Sequence, residues 1–327
     1  MRRAGLEPDV RFEGDVRGGR ILRRVHRLKA LSRDLPRAGE ADLLFIHRRT
    51  FPPPFDRLLL RCRCPVIFDM DDALDLPPPS HLQTARARRR FRRNLQATVD
   101  AADLVLCGNA ELKARVRHHH VEILPTPIDC ARFQPSAIAP SRGPDIGWVG
   151  HSDNLGFVEG IAGALRNVAE RLTGARIVIV ADQQPELSGL EVEFRRWTLD
   201  REVSCFDGMR VGMMPLDDTP WTRAKCSFKL LQFMALGIPT VASPVGMNTR
   251  VIDHGRNGLL AATDEEWIHS LDRLLRDEAF ARSISAEGRR SVVRNYSLEV
   301  LSPRLTNALL ALLPENRRPE PTGFRPR

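Results

Sequence analysis

Short apolar runs bounded by turn residues alternate along this chain with longer stretches of helical spacing. Ala41–His47, Pro65–Asp69, Asp103–Asn109 and Val121–Pro125 are such runs in the first part. Ile146–Gly150, Ala175–Ala181, Met209–Leu216 and Thr240–Ala242 repeat the pattern in the second. Runs of this length, rich in Val, Ile and Leu, suit strands buried on both faces. Val10 and Phe12 alternate as a strand does, and so does Leu190–Trp197, where Trp197 reads as core packing. Helical spacing covers Ile21–Leu35, Phe55–Cys62, Leu82–Ala102, Glu111–Arg117, the stretch up to about Leu172, Asp264–Arg276, Glu278–Tyr296 and Leu298–Leu313. Strand and helix alternating in this way predict an α/β protein of the doubly wound kind.

Gln134–Pro144 is rich in Pro, Ser and Gly and marks the best domain boundary. We therefore expect one domain over 1–136, a linker at 137–144 and a second domain over 145–297. A terminal helix at 298–313 and a disordered Pro- and Arg-rich tail at 314–327 complete the chain.

One stretch, Lys225–Asn248, reads as a continuous unit. Ser227 is placed to cap a helix whose Phe228, Leu231, Met234 and Ala235 share a face. Gly237 supplies a left-handed stop, Pro239 forbids continuation, and Thr240–Ala242 is a buried strand with a loop at its carboxyl end. Ligands of doubly wound sheets sit at such strand ends and helix starts. Of 50 basic residues only four are lysines (Lys29, Lys113, Lys225, Lys229), and two of these lie within this unit. Lys229 falls in the first helical turn, where the macrodipole disfavours a cation by about 0.3–1 kcal/mol. A bound phosphate reverses that sign, and Gln232 follows at i+3 on the same face. The plain alternative is a solvated lysine on an amphipathic helix.

Composition narrows the possibilities. At 327 residues with 42% hydrophobic content the chain can build two cores, and no run reaches the length of a membrane span. Six scattered cysteines give neither a disulfide framework nor zinc spacing, which points to a reducing, cytoplasmic setting. Three consecutive histidines, His118–His120, cannot share one helical face and read as exposed rather than metal-binding. The net charge of +9 gives acidic partners a hearing. Its densest run, Arg86–Arg93, reads first as a solvated helix face and second as a patch for an anionic membrane surface. A single tyrosine and few aromatics argue against a base-stacking platform, so nucleic acid is the least favoured partner.

A second constellation is Asp69-Met-Asp-Asp72 at the end of a strand. Three carboxylates in four positions repel one another and need a cation, a hydroxyl network or exposure. Asp71 and Asp72 are candidate substrate contacts, with capping of a following helix by Asp72 as the structural alternative.

The run from Asp217 to about Leu312 resembles the donor domain of retaining GT-B glycosyltransferases of the large group 1 family. Gly237–Asn248, His254–Ala261 and Asp217–Lys225 carry the resemblance. It implies two Rossmann-like domains facing a cleft, a nucleotide-sugar donor, and a glycan or lipid-linked envelope acceptor. It also implies no metal and no cofactor, because protein cations hold the phosphates, and a place at the inner face of the plasma membrane. Lys225 and Lys229 are then the catalytic cations. The donor site is expected from Gly150, His151, Ser152, Arg223, Ser227, Gln232, Gly246, Met247 and Asn248. The chain also departs from the family. Its amino end lacks the expected first strand, so Arg17-Gly-Gly-Arg20 reads only as a turn. The family's Glu-x₇-Glu becomes Ala224 and Gln232, which leaves the first glutamate's job near the sugar unfilled unless Asp217 or Asp218 reaches in; the acid of its Gly-Gly-x-x-Glu becomes Arg250, and a histidine usual near Asp71 is absent. These departures keep open a non-catalytic relative that binds a nucleotide sugar or glycan, and charge alone keeps open a nucleic-acid binder.

Overall fold

A computed structural model describes residues 41–54, 56–77, 84–135, 145–172, 175–185, 187 and 189–315. The expected strand at Val10 and Phe12, the Arg17–Arg20 turn, the Ile21–Leu35 helix and nearly all of the linker and tail lie outside them. The chain divides into two compact units, Met1–Leu124 with Ser302–Arg327, and Pro125–Leu301. The division falls earlier than 136 because the chain after Pro125 packs within the second unit. Ile128 N–H donates to Tyr296 O at 2.9 Å, and the Phe133 ring meets Phe206 edge-on at 6.4 Å.

In the first unit β1 (Leu44–His47), β2 (Val66–Met70), β3 (Leu104–Cys107) and β4 (Val121–Ile123) form a parallel sheet in sequence order. Helices α1 (Asp56–Leu59), α2 (Ala85–Asp100) and α3 (Ala110–Lys113) connect them. Thr84 caps α2 by accepting from Ala87 N–H, and Asn109 caps α3. Asp72 caps no helix; its carboxylate accepts from Ala73 N–H in a turn. Ile67, Leu104 and Leu106 form a core with Leu309, which arrives from the end of the chain.

The second unit carries β5 (Ile146–Val149), β6 (Ile177–Ala181), β7 (Val192–Arg196), β8 (Val211–Met214), β9 (Thr240–Ala242) and β10 (Leu259–Leu260). All its paired strands run parallel, in the order β10-β9-β8-β5-β6-β7. The helix expected after β5 is broken into a 3₁₀ turn (Ser152–Asn154), α4 (Gly156–Glu159) and α5 (Ala162–Arg171). The remaining helices are α6 (Pro220–Arg223), α7 (Phe228–Ala235), α8 (Asn248–Val251), α9 (Asp264–Arg276) and α10 (Glu278–Tyr296), while α11 (Leu298–Leu312) belongs from Ser302 onward to the first unit. Trp267, Leu271 and Leu274 of α9 pack into the core around Ile146, Ile177 and Val211. Each such side chain contributes about 1.5–3 kcal/mol through burial. Trp197 is not part of this core: it is 37% exposed at the end of an edge strand.

The α7 unit folds as its sequence dictates at one end and differently at the other. Gly237 adopts φ +70°, with its N–H bonded to Met234 O and the Ile238 N–H to Phe233 O. This is the double bond of a Schellman stop. At the start, Ser227 sits at φ +54° and makes no capping bond. Its hydroxyl turns away and donates to Asn248 Oδ1 at 2.7 Å.

Candidate functional site

The sheet of the second unit reverses its winding between β5 and β8. From β5 the chain builds outward to β6 and β7, then returns to lay β8, β9 and β10 on the other side. The two connections leave from opposite sides of this boundary, which is where doubly wound sheets bind their ligands. The loop after β5 is Gly150–Asn154, and the segment after β8 runs through Asp217 to Lys225. Lys225 reaches across, its Nζ 3.4 Å from Asn154 Oδ1.

Each side of this boundary is held by its own bonds. Asp182, at the end of β6, accepts from Ser152 N–H at 2.8 Å and from its hydroxyl at 3.1 Å. His151 Nε2 lies 3.6 Å from the same carboxylate. Burial pulls the Asp182 pKa upward, but the bonds from Ser152 and the nearby His151 outweigh it and hold the group below its ordinary value. Sequence reasoning missed Asp182 because nothing local distinguishes it; only the parallel register brings it beside Ser152. On the β8 side, Thr219 caps α6 and its bond with Thr222 closes a capping box. Arg223 grips Asp218 through two bonds, of 2.5 and 2.8 Å. The pair draws the exposed Asp218 carboxyl below its ordinary value.

Gly246 is the hinge pin of this arrangement. At φ +54° its Cα lies so close to α6 that a Cβ would stand 2.3 Å from the Arg223 carbonyl oxygen. The structure thus brings Arg223, Gly246, Ser227 and Asn248 together, and Lys225 with the Gly150–Asn154 loop. Several expected donor contacts are turned inward: Ser227, Met247, Asn248 and Gln232 are buried, the Asn248 amide bonding Ser227 and Ser243 O.

Lys229 has a different environment from Lys225. Its Nζ lies over the Phe228 ring at 5.7 Å, and among the described residues no carboxylate pairs with it. Burial lowers its pKa, against smaller opposing effects of Glu202 and Cys205. Glu202 itself is bonded to Arg132 at 2.9 Å. An ammonium group half-buried without a partner is a standing electrostatic deficit that an anion would relieve.

Gln232 is fully buried, and among the described residues neither end of its carboxamide has a partner. A buried amide left unbonded costs about 1–3 kcal/mol. Gln232→Leu is therefore expected to raise the melting temperature by about 2–4 °C per kcal/mol recovered. Thermal unfolding of the variant checks this; a lower melting point would show that the amide has a partner, such as an ordered water. Ala224, at the family's first glutamate, is also fully buried, and Arg250 is exposed.

In the first unit the acidic triplet is engaged by two residues that sequence reasoning left out. Arg48 Nε lies 3.1 Å from Asp71 Oδ1, and its terminal nitrogen bonds Asp72 at 3.0 Å. His47 Nδ1 meets Asp69 Oδ2 at 2.7 Å. Burial nevertheless raises the Asp71 pKa, with Arg48 opposing. Among the described residues no group of His, Cys, Asp and Glu is placed to hold a metal ion. His118 bonds Ala102 O and His120 O instead. All six cysteines are free, and among the described residues no helix is long and apolar enough to cross a membrane.

Residues 143–277 match the model of the family described as glycosyl transferases group 1. No curated protein sequence matches the chain. Among solved structures, sucrose-phosphate synthase from Thermosynechococcus elongatus is 17% identical, with a TM-score of 0.67 over 87% of this chain and 79% of that one. HepE of Anabaena, solved with UDP and glucose, is 14% identical, with a TM-score of 0.66 over 88% of this chain and 83% of that one. A glycosyltransferase from Rickettsia africae is 11% identical, with a TM-score of 0.67 over 93% of this chain and 84% of that one. At such identities the likeness is one of fold. The stretch that bears the winding reversal and both lysines is what the group 1 glycosyl transferase model matches, in a chain of the GT-B fold.

Proposed function

We propose that this chain is a glycosyltransferase that moves a sugar from a nucleotide-sugar donor to a glycan or lipid-linked envelope acceptor. The observation that carries the reading is Lys225 reaching Asn154 across the boundary between β5 and β8, within the stretch that matches the family. As the bond between the sugar and the β-phosphate breaks, negative charge gathers on the leaving diphosphate. Preorganised cations facing that charge are the largest catalytic contribution available to such a site. Lys225 and Lys229 fill that role here, with the uncapped N–H groups of the first turn of α7 and the backbone of Gly150–Ser152 and Gly246–Asn248 holding the phosphates. With cations of the protein in place, the transfer runs without metal or cofactor. HepE was solved with UDP-glucose, which makes a uridine nucleotide the first donor to try.

Asp71 and Asp72 are proposed contacts for sugar hydroxyls. The basic face of α2, with Arg86 and Arg88–Arg90 at its exposed start, suits an anionic membrane surface at the cytoplasmic side.

A panel of UDP-, GDP-, ADP- and dTDP-sugars in thermal unfolding tests the reading. One member should raise the melting temperature with occupancy and be turned over. A flat response across the panel would contradict the donor site. The buried Ala224 favours a second reading, a relative that binds a nucleotide sugar without transferring it, because no acid stands at that position. A thermal shift with no turnover of any donor would select it.

A further inference from the structure

The turn between β5 and α4 is anchored on the carboxylate of Asp182. The parallel register pairs Val149 with Val180, so β5 and β6 end at the same level and Asp182 stands beside the turn that follows Gly150. Its Oδ1 accepts from the Ser152 N–H at 2.8 Å. Its Oδ2 accepts from the Ser152 hydroxyl at 3.1 Å and lies 3.6 Å from His151 Nε2. Two bonds to one residue fix the rotation of the turn as well as its height. The His151 Nδ1 accepts from the Asp153 N–H at 3.2 Å, which caps the 3₁₀ turn and keeps the proton of the neutral ring on Nε2, toward Asp182. Gly150 and Asn154 commit their own N–H groups to Val180 O at 3.0 Å and His151 O at 2.9 Å. Among the described residues, the His151 N–H is then the backbone donor of Gly150–Asn154 that stays open to a ligand. Asn154, held in this way, presents its Oδ1 to Lys225 Nζ at 3.4 Å. A chain of bonds therefore leads from Asp182 through the turn to the cation.

We infer that Asp182 is a positioning residue for the diphosphate site: it sets the place of the 151–154 turn and, through Asn154, that of the Lys225 ammonium. The inference rests on the glycosyl-transfer reading and concerns the second unit alone. Cations and N–H groups hold a diphosphate best when they are fixed before it arrives. An acid near such a site would repel the ligand if its oxygens faced outward. Here both oxygens are turned onto Ser152, one of them also toward His151, so the charge is directed into the turn.

Calorimetric titration of UDP, GDP, ADP and dTDP into the full chain gives the test, with thermal unfolding of every variant alongside. Asp182→Ala removes both bonds to Ser152 and should weaken the nucleotide that binds the wild type about 10-fold. Asp182→Asn removes the charge but keeps an oxygen for the Ser152 N–H and an NH₂ group for its hydroxyl. It should restore affinity to within about twofold of the wild type. Because Asp182 acts on the ligand largely through Lys225, the two effects should not simply multiply. In a Lys225→Ala background, where the cation it places is gone, Asp182→Ala should cost about threefold or less. Ser152→Ala, which loses the hydroxyl bond alone, should cost about 2- to 3-fold and have almost no effect in that background. It carries the test should Asp182→Ala fail to fold. An Asp182→Ala protein that binds as the wild type does overturns the inference, whatever its melting temperature. So does a factor undiminished by Lys225→Ala, or an Asp182→Asn protein as weak as Asp182→Ala. A wild type that binds none of the four nucleotides brings down the transfer reading, and the inference with it.

Discussion

Replacing Gly246 with alanine is expected to destabilise the second unit by about 3 kcal/mol or more, combining a left-handed backbone penalty with a steric clash. Alanine at φ +54° loses about 1–2 kcal/mol relative to glycine for the backbone conformation alone. The larger part comes from the Cβ, which would stand 2.3 Å from the carbonyl oxygen of Arg223 and 2.8 Å from two further backbone atoms. Backbone cannot swing aside as a flexible side chain can, so α6 and the loop before α8 must separate. The melting temperature should fall by roughly 6–12 °C, and nucleotide binding should fail with it. Gly255→Ala provides the control: Gly255 has a comparable φ of +80°, but nothing lies near its missing Cβ. It should lose about 1–2 kcal/mol and keep its ligand. If the two variants melt together, the close approach of α6 is not what Gly246 serves.

Lys229→Met should have opposite effects on stability and on binding. The ammonium is half-buried, no carboxylate among the described residues pairs with it, and its lowered pKa follows from that burial. Removing the charge while keeping the stem should raise the melting temperature. The same change should weaken nucleoside-diphosphate binding about 10- to 100-fold, the value of one charge-assisted contact of 1.5–3 kcal/mol. pH supplies a second check on stability. The unfolded chain holds this proton to higher pH than the folded chain does, so the instability due to Lys229 should fade as pH rises from its lowered pKa to its ordinary value. Binding should change the other way: affinity should fall as pH rises through the lowered pKa and the ammonium is lost. A variant less stable than wild type, with unchanged affinity, would assign Lys229 to the architecture alone.

Much of the fold was legible because buried parallel strands write themselves as unbroken apolar runs. Ile177–Ala181 and Thr240–Ala242 are cases in point, each buried throughout. The Gly237 stop was legible for a similar reason, since few residues tolerate its backbone conformation. What escaped the sequence depends on neighbours distant along the chain. Asp182 matters only because register sets it beside Ser152, and His47 only because β1 runs parallel to β2 with Asp69 as its partner. Ser227 looked like a cap, but Asn248 claims its hydroxyl and draws the backbone into the left-handed region. Gln232 matched a family position that contacts ligand, yet packing closes around it, and periodicity alone cannot tell a lined crevice from a filled core.

The central claim is that a diphosphate binds where the second sheet reverses its winding, held by Lys225 and Lys229. Calorimetric titration of UDP, GDP, ADP and dTDP into the wild type, the Lys225→Ala/Lys229→Ala double variant and Lys113→Ala tests it most directly. Lys113 lies in the first unit, with its ammonium bonded to Val121 O at 3.0 Å. One nucleotide should bind the wild type and Lys113→Ala equally and the double variant about 100-fold or more weakly. Equal affinity across all three proteins would contradict the claim.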